Sequence, residues 1–367
     1  MQLLDANLVL LKAQLAELAE TPYFSPRLNQ FLNDLRRIAT LLQQRIAQRP
    51  ATMSLPIAHK LVSWVWTNTQ YLAGSTAKRI PFEVAHGLET AARDWTNRDL
   101  VITTALLQSP DFHLKAPAPD ITALIAAETG VTLSVEVVQS ALPEIYRHRP
   151  LYCIALYHEL GHFIDLQANI TQTSLLLTGV SGPPALPGVQ IQVPPNAQPN
   201  VLATIRQIVL SHRMEYFADI FSVCYMGTAA IDFLEAFAPS HGASSTHPAT
   251  ASRVAVMRDF LDGTPNGIVD MFQNALGRRG LPQLRTRYVI PDVSGSFGAV
   301  RPHRIGHAAE IHGLLIAGWN FLREAGAGNV PSWAGLEPAA MDAMANDLIE
   351  KSIRNRMVRE AWNEAAR

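Results

Sequence analysis

Leu151-Tyr152-Cys153-Ile154-Ala155-Leu156-Tyr157-His158-Glu159-Leu160-Gly161-His162-Phe163-Ile164-Asp165 is the stretch on which the reading of this chain turns. Inside it, His158-Glu159-Leu160-Gly161-His162 fits the pattern H-E-x-x-H. An α-helix advances about 100° per residue, so His158 and His162 stand one turn apart on one face and can share a zinc ion. Glu159 flanks that face without reaching the metal, which is where a base must stand to take a proton from the water that zinc activates. The five-residue pattern occurs by chance, so its neighbours decide. Ile154, Leu156, Phe163, Ile164 and Leu166 surround the polar face with apolar side chains, among which His and Glu are costly unless they find partners. The competing reading is a core helix with two satisfied histidines and a surface glutamate.

A catalytic zinc site takes three protein ligands and leaves a fourth position open, so another ligand must come from elsewhere in the chain. Ser211-His212-Arg213-Met214-Glu215-Tyr216-Phe217-Ala218-Asp219 carries a second helical pattern in which Glu215 and Asp219 lie one turn apart. Glu215 can bind the metal while Asp219 accepts the free ring N–H of a ligand histidine, fixing its tautomer and raising its basicity. A solvated acidic face is the alternative. Tyr216, Phe217, Ile220 and Phe221 make this helix too apolar for it.

These two motifs, followed by Thr246-His247-Pro248 and then Arg253, resemble the gluzincin family of the HtpX heat-shock protease and the CAAX prenyl endopeptidase. In that family an E-x-x-A-D helix supplies the third zinc ligand and a T-H-P-x-x-x-x-R stretch follows it. The resemblance implies zinc ligation by His158, His162 and Glu215 with one Zn²⁺ per chain, the base role for Glu159, and Asp219 behind the ligands. It also puts His247 and Arg253 near the site. It covers roughly residues 150 to 260, and the transmembrane helices of the membrane-bound members are missing from it. For His247 two roles stand open: a donor to the oxyanion of the tetrahedral intermediate, or part of a helix start tied down by a buried Arg253. Tyr216 and Tyr225 are alternative donors.

Two further groups invite chemistry. His303-x-x-x-His307 with Glu310 and His312 has metal-like spacing, but Pro302 and Gly306 disfavour a regular helix there, so these histidines are better expected to line a cleft. Cys153 and Cys224 lack a Cys-x-x-Cys partner and read as buried apolar thiols.

The 367-residue chain is 48% hydrophobic, which allows more than one core. With 30 basic and 31 acidic residues its formal charge is −1, so nothing in the overall balance attracts nucleic acid or an anionic membrane. No window approaches the roughly 20 apolar residues of a membrane span. The first residues lack the features of a secretory signal and two cysteines are too few for a disulfide scaffold, so the expected location is the cytoplasm.

Leu4, Leu8, Leu11, Leu15 and Leu18, then Phe31, Leu35, Ile38 and Leu42, predict an antiparallel helical hairpin, either packed on the body of the protein or free to contact a partner or second copy. Leu100 to Leu107 and Val131 to Val138 read as strands, either of which would offer a substrate-binding edge. The Pro-rich run from Ser181 to Asn200 reads as a long surface loop, and helices are expected from His307 to Leu322 and from about Pro338.

The expected fold is α+β, a zincin-like metallopeptidase core with a small mixed sheet and an active-site helix, extended by helices at both ends. Residues 1–50 form the hairpin, 51–262 the catalytic domain and 263–367 a mostly helical region governing substrate choice or regulation. The expected activity is that of a narrow-specificity zinc endopeptidase acting on a protein or peptide. The rivals are a non-catalytic binding protein on the same scaffold, against which Glu159 argues, and a zinc hydrolase of a non-peptide bond.

Overall fold

The computed structural model describes residues 2–366 except 22, 24, 49–52, 77–81, 97–99, 117–118 and 181–198. The Pro-rich run expected as a surface loop lies, apart from its last two residues, outside the described ones. Among the described residues the chain is mostly helical with one small mixed sheet, and it falls into two compact units, Met1–Glu89 with Thr96–Arg147 and Thr90–Trp95 with His148–Arg367. The division expected at residue 262 thus falls inside the second unit.

In the first unit, α1 (Gln2–Ala19) and α2 (Pro26–Gln48) form the hairpin that the leucine spacing predicts. Its seam does not wait for a partner. Leu8, Leu15, Phe31, Leu35, Ile38 and Leu42 are fully buried in one cluster with Leu61 and Val65 of α3 (Leu55–Gly74), so the hairpin packs on the unit's own body. After α4 (Phe82–Arg93) come β1 (Leu100–Leu107), β2 (His113–Lys115), α5 (Pro119–Thr129) and β3 (Glu136–Pro143).

The sheet order is β1-β3-β2, with β1 parallel to β3 and β2 antiparallel to it. The second strand therefore begins later than its β-branched run suggests. Pairing decides this: Leu100 faces Glu136 across the ladder, while Val131 and Val135 are buried in the core ahead of it. Since β3 has a partner on each side at Gln139 to Ala141, it is not the free edge expected of it; β1 pairs on one side among the described residues.

The second unit is helical. Its described elements are α6 (Ala155–Ala168), α7 (Ile170–Thr178), α8 (Pro199–Met226), α9 (Thr228–Phe237), α10 (Thr250–Asp262), α11 (Gly267–Arg279), α12 (Ser294–Gly298), α13 (Ala309–Gly326) and α14 (Pro338–Ala365). From Val209 to Met226 α8 is buried almost all round, as its apolar composition requires. It crosses α6 at Gly161, where a Cβ would stand 2.8 Å from the Ala218 Cα and 3.1 Å from the Phe221 Cβ. A larger residue between the two histidines would push the helices apart. At the far end of α6, Asn169 turns the chain in the left-handed region, and the Asp165 carboxylate receives the Thr171 N–H at 2.6 Å, capping α7.

Candidate metal centre

The close crossing of α6 and α8 brings His158, His162 and Glu215 together. One donor atom from each lies within 4.8 Å of the other two. His158 Nε2 stands 3.4 Å from Glu215 Oε2, and His162 Nε2 stands 3.4 Å from Glu215 Oε1. The imidazoles meet edge to face, with centroids 4.6 Å apart and planes at 87°. Two neutral nitrogens and one carboxylate oxygen form a donor set that fits Zn²⁺, and among the described residues this is the group of His, Cys, Asp and Glu that converges for a metal.

Behind the donors the charges are ordered. His158 Nδ1 lies 3.0 Å from Asp219 Oδ1, leaving Nε2 to face Glu215. Arg253 on α10 forks onto Asp219, Nε to Oδ2 and Nη2 to Oδ1 both at 2.7 Å, and its Nη2 also lies 3.1 Å from Glu215 Oε2. Burial raises the pKa of Asp219, but Arg253 and then His158 outweigh it and hold the carboxyl below its ordinary range. Glu215 is likewise driven down: desolvation opposes ionisation, and hydrogen bonds from His158 and His162 overcome it. Burial alone would depress His158, yet its contacts with Asp219 and Glu215 push it up to about 10 with the protein's own groups alone. A metal and a proton therefore compete for this ring.

Glu159 projects beside the donor face. Desolvation raises its carboxyl pKa, with His158 and His162 pulling the other way. A carboxylate in this state accepts a proton more readily than one in water.

His247 stands on the loop before α10 with its ring 56% exposed and Nε2 3.5 Å from Glu215 Oε1. Thr246 Oγ1 meets its Nδ1 at 2.8 Å, so with the hydroxyl donating, Nε2 carries the proton and faces the centre. The rival donors are committed elsewhere. The Tyr225 hydroxyl donates to Asp94 Oδ2 at 3.0 Å and accepts from Trp95 Nε1 at 2.8 Å, and Tyr216 is wholly buried. Of the C-terminal histidines, His312 is buried against Tyr157, its Nδ1 3.1 Å from the hydroxyl, and His307 Nε2 pairs with Glu310 Oε1 at 3.2 Å. They neither converge as a metal group nor join the donors of α6 and α8.

Two contributions escape the motifs. His212, three residues before Glu215, is fully buried and its Nε2 lies 2.7 Å from the Ser244 carbonyl oxygen. The turn leading into α6 is gripped from α13 and α14: Leu151 donates its N–H to Asn346 Oδ1 at 3.0 Å and accepts Trp319 Nε1 on its carbonyl at 3.0 Å. Tyr152 donates to Asp342 Oδ1 at 2.8 Å, and Arg149 Nε stands 3.2 Å from Asp342 Oδ2.

No protein-family model, no curated protein and no solved structure matches this chain. Among the described residues no helix is long and apolar enough to cross a membrane.

Proposed function

We propose that this chain is a zinc-dependent endopeptidase of gluzincin type, built on a zincin-like core, with His158, His162 and Glu215 as metal ligands and Glu159 as general base. The observation that carries the reading is the convergence of three donor atoms within 4.8 Å, one of their rings backed by Asp219 and a glutamate standing next to the first histidine. When bound, zinc would supply Lewis acidity toward a carbonyl and lower the pKa of a water. Glu159 then accepts the proton of the attacking water and delivers it to the leaving amine, a task suited to a carboxyl whose pKa burial has raised. His247 Nε2–H donates to the developing oxyanion. Asp219 holds the His158 tautomer, and Arg253 holds Asp219. With two cysteines, both buried and free, the chain has no disulfide framework, and the location that goes with this reading is the cytoplasm.

The test joins composition to activity. Protein prepared without chelators should hold about one zinc per chain. Terminal profiling of cells expressing wild type against Glu159→Gln should yield new protein termini with wild type alone, the variant losing about 10²- to 10⁴-fold in turnover while keeping its zinc. Protein without zinc, or equal cleavage by both forms, would end the proposal.

A further inference from the structure

The loop between α9 and α10 carries His247, and residues 239–247 are exposed throughout. An exposed loop holds a side chain in place only if something rigid holds the loop. Within it Ser244 is the hub. Its N–H donates to the His247 carbonyl at 2.8 Å, its Oγ accepts the His247 N–H at 3.0 Å, and its Oγ lies 3.3 Å from Thr246 Oγ1, the hydroxyl that meets the His247 ring. The Ser244 carbonyl in turn accepts from His212 Nε2 at 2.7 Å. A carbonyl oxygen cannot donate, so Nε2 bears the proton, and Nδ1 is buried with no hydrogen-bond partner.

His212 and Glu215 lie three apart, on one face of α8. A single rigid helix thus presents the metal-facing carboxylate and the anchor of the loop beside it. The chain of contacts closes on itself: His212 to Ser244, Ser244 to His247, and His247 Nε2 back to within 3.5 Å of Glu215 Oε1. We infer that His212 is a positioning residue, which ties the Ser244 to His247 turn to the ligand helix and so sets where the His247 imidazole stands over the centre. The part of this inference that concerns chemistry rests on the proposed peptidase reading. The part that concerns the loop does not.

Three variants separate the outcomes. His212→Phe keeps an aromatic ring in the buried slot and removes the donor. His212→Gln places an amide N–H at the same bond count as Nε2, and His212→Asn stops about one bond short. The first readout needs no substrate and no metal: amide hydrogen exchange across residues 239–249 in the purified full chain. With the anchor gone, exchange at Ser244 and His247 should quicken about 5- to 10-fold in the Phe and Asn variants and stay near wild type in the Gln variant.

The second readout is turnover of a peptide that wild type cleaves. His212→Phe should lower kcat roughly 10- to 100-fold with little change in KM, as a misplaced donor does. In a His247→Ala background the same substitution should cost almost nothing further, whereas a general loss of stability would cost the same in both. Unchanged exchange in both Phe and Asn variants, or costs that add in full, would overturn the inference. Should the Phe variant fold poorly, the Gln and Asn pair still decides it. A wild type that cleaves nothing would count against the peptidase reading alone, while the exchange readout would still judge the anchor.

Discussion

Asp219 stands between His158 and Arg253, with one carboxylate oxygen 3.0 Å from His158 Nδ1 and both oxygens forked by Arg253 at 2.7 Å. The carboxylate fixes which nitrogen of His158 faces Glu215, and Arg253 keeps that carboxylate ionised in a buried place. Under the proposed zinc reading, removing the Asp219 carboxylate should therefore weaken metal binding without touching any of the three converging donors. Asp219→Ala should weaken zinc binding by about 10- to 100-fold, and Glu215→Ala should abolish it. Arg253→Lys should behave like a milder Asp219→Ala, since an ammonium cannot reproduce the fork. Zinc titration with a competing chelator measures all three; a Glu215→Ala protein that binds zinc normally would remove Glu215 from the ligand set.

Much of this arrangement is written in spacing. One-turn separations put His158 with His162 and Glu215 with Asp219, and those separations survive in α6 and α8 because each helix is apolar enough to be buried. The leucine seams of α1 and α2 and the limits of β1 are legible for the same reason: periodic burial leaves a periodic sequence. The start of β3 is not, because a parallel ladder with β1 fixes it, and a run of β-branched residues cannot say which of its members finds that ladder. His212 and Asn346 are invisible from sequence because each bonds a backbone atom, 32 and 195 residues away. Any residue type can occupy the far end of such a bond, so no motif records it.

The grip on the entry to α6 gives a stability prediction. Leu151 and Asn346 are both wholly buried, so in Asn346→Ala the Leu151 N–H loses its acceptor in a place water does not reach. An orphaned buried donor costs about 1 to 3 kcal/mol. Chemical denaturation should show a fall of that size. A change below about 0.5 kcal/mol, the level of a neutral surface substitution, would mean that the amide finds another partner.

Glu350 on α14 makes stability depend on pH. Desolvation raises its carboxyl from the ordinary 4.5 to about 7, with Arg354 pulling it down and Asp347 pushing it up, while His148 Nδ1 lies 3.2 Å from its Oε1. The folded protein thus holds this proton more tightly than the unfolded chain does. Its contribution is full below the ordinary glutamate range and is lost as pH rises through about 7. Glu350→Gln, neutral at every pH, should raise the melting temperature relative to wild type at pH 8 and leave it nearly unchanged at pH 5. Equal shifts at the two pH values would show that the carboxyl titrates normally.

The N-terminal hairpin yields the last prediction, and here burial overrules the idea of a detachable arm. Leu8 and Leu15 of α1 are fully buried, and α2 adds Phe31, Leu35, Ile38 and Leu42 to the same cluster as Leu61, Val62, Val65 and Leu72 of α3. Each fully buried leucine contributes about 1.5 to 3 kcal/mol through the apolar area it removes from water. Deleting residues 1–48 leaves that flank of α3 without its cover, an apolar patch of the kind that drives aggregation. The truncated chain should therefore appear in the void volume on gel filtration and bind a hydrophobic dye, whatever becomes of His158, His162 and Glu215 on α6 and α8. Leu8→Ala is the finer probe, because it leaves the hairpin in place and opens one cavity, at an expected cost of about 2 to 5 kcal/mol. A soluble, monomeric truncation with native near-ultraviolet dichroism, together with a harmless Leu8→Ala, would mean that the seam is dispensable to the fold and free to serve a partner.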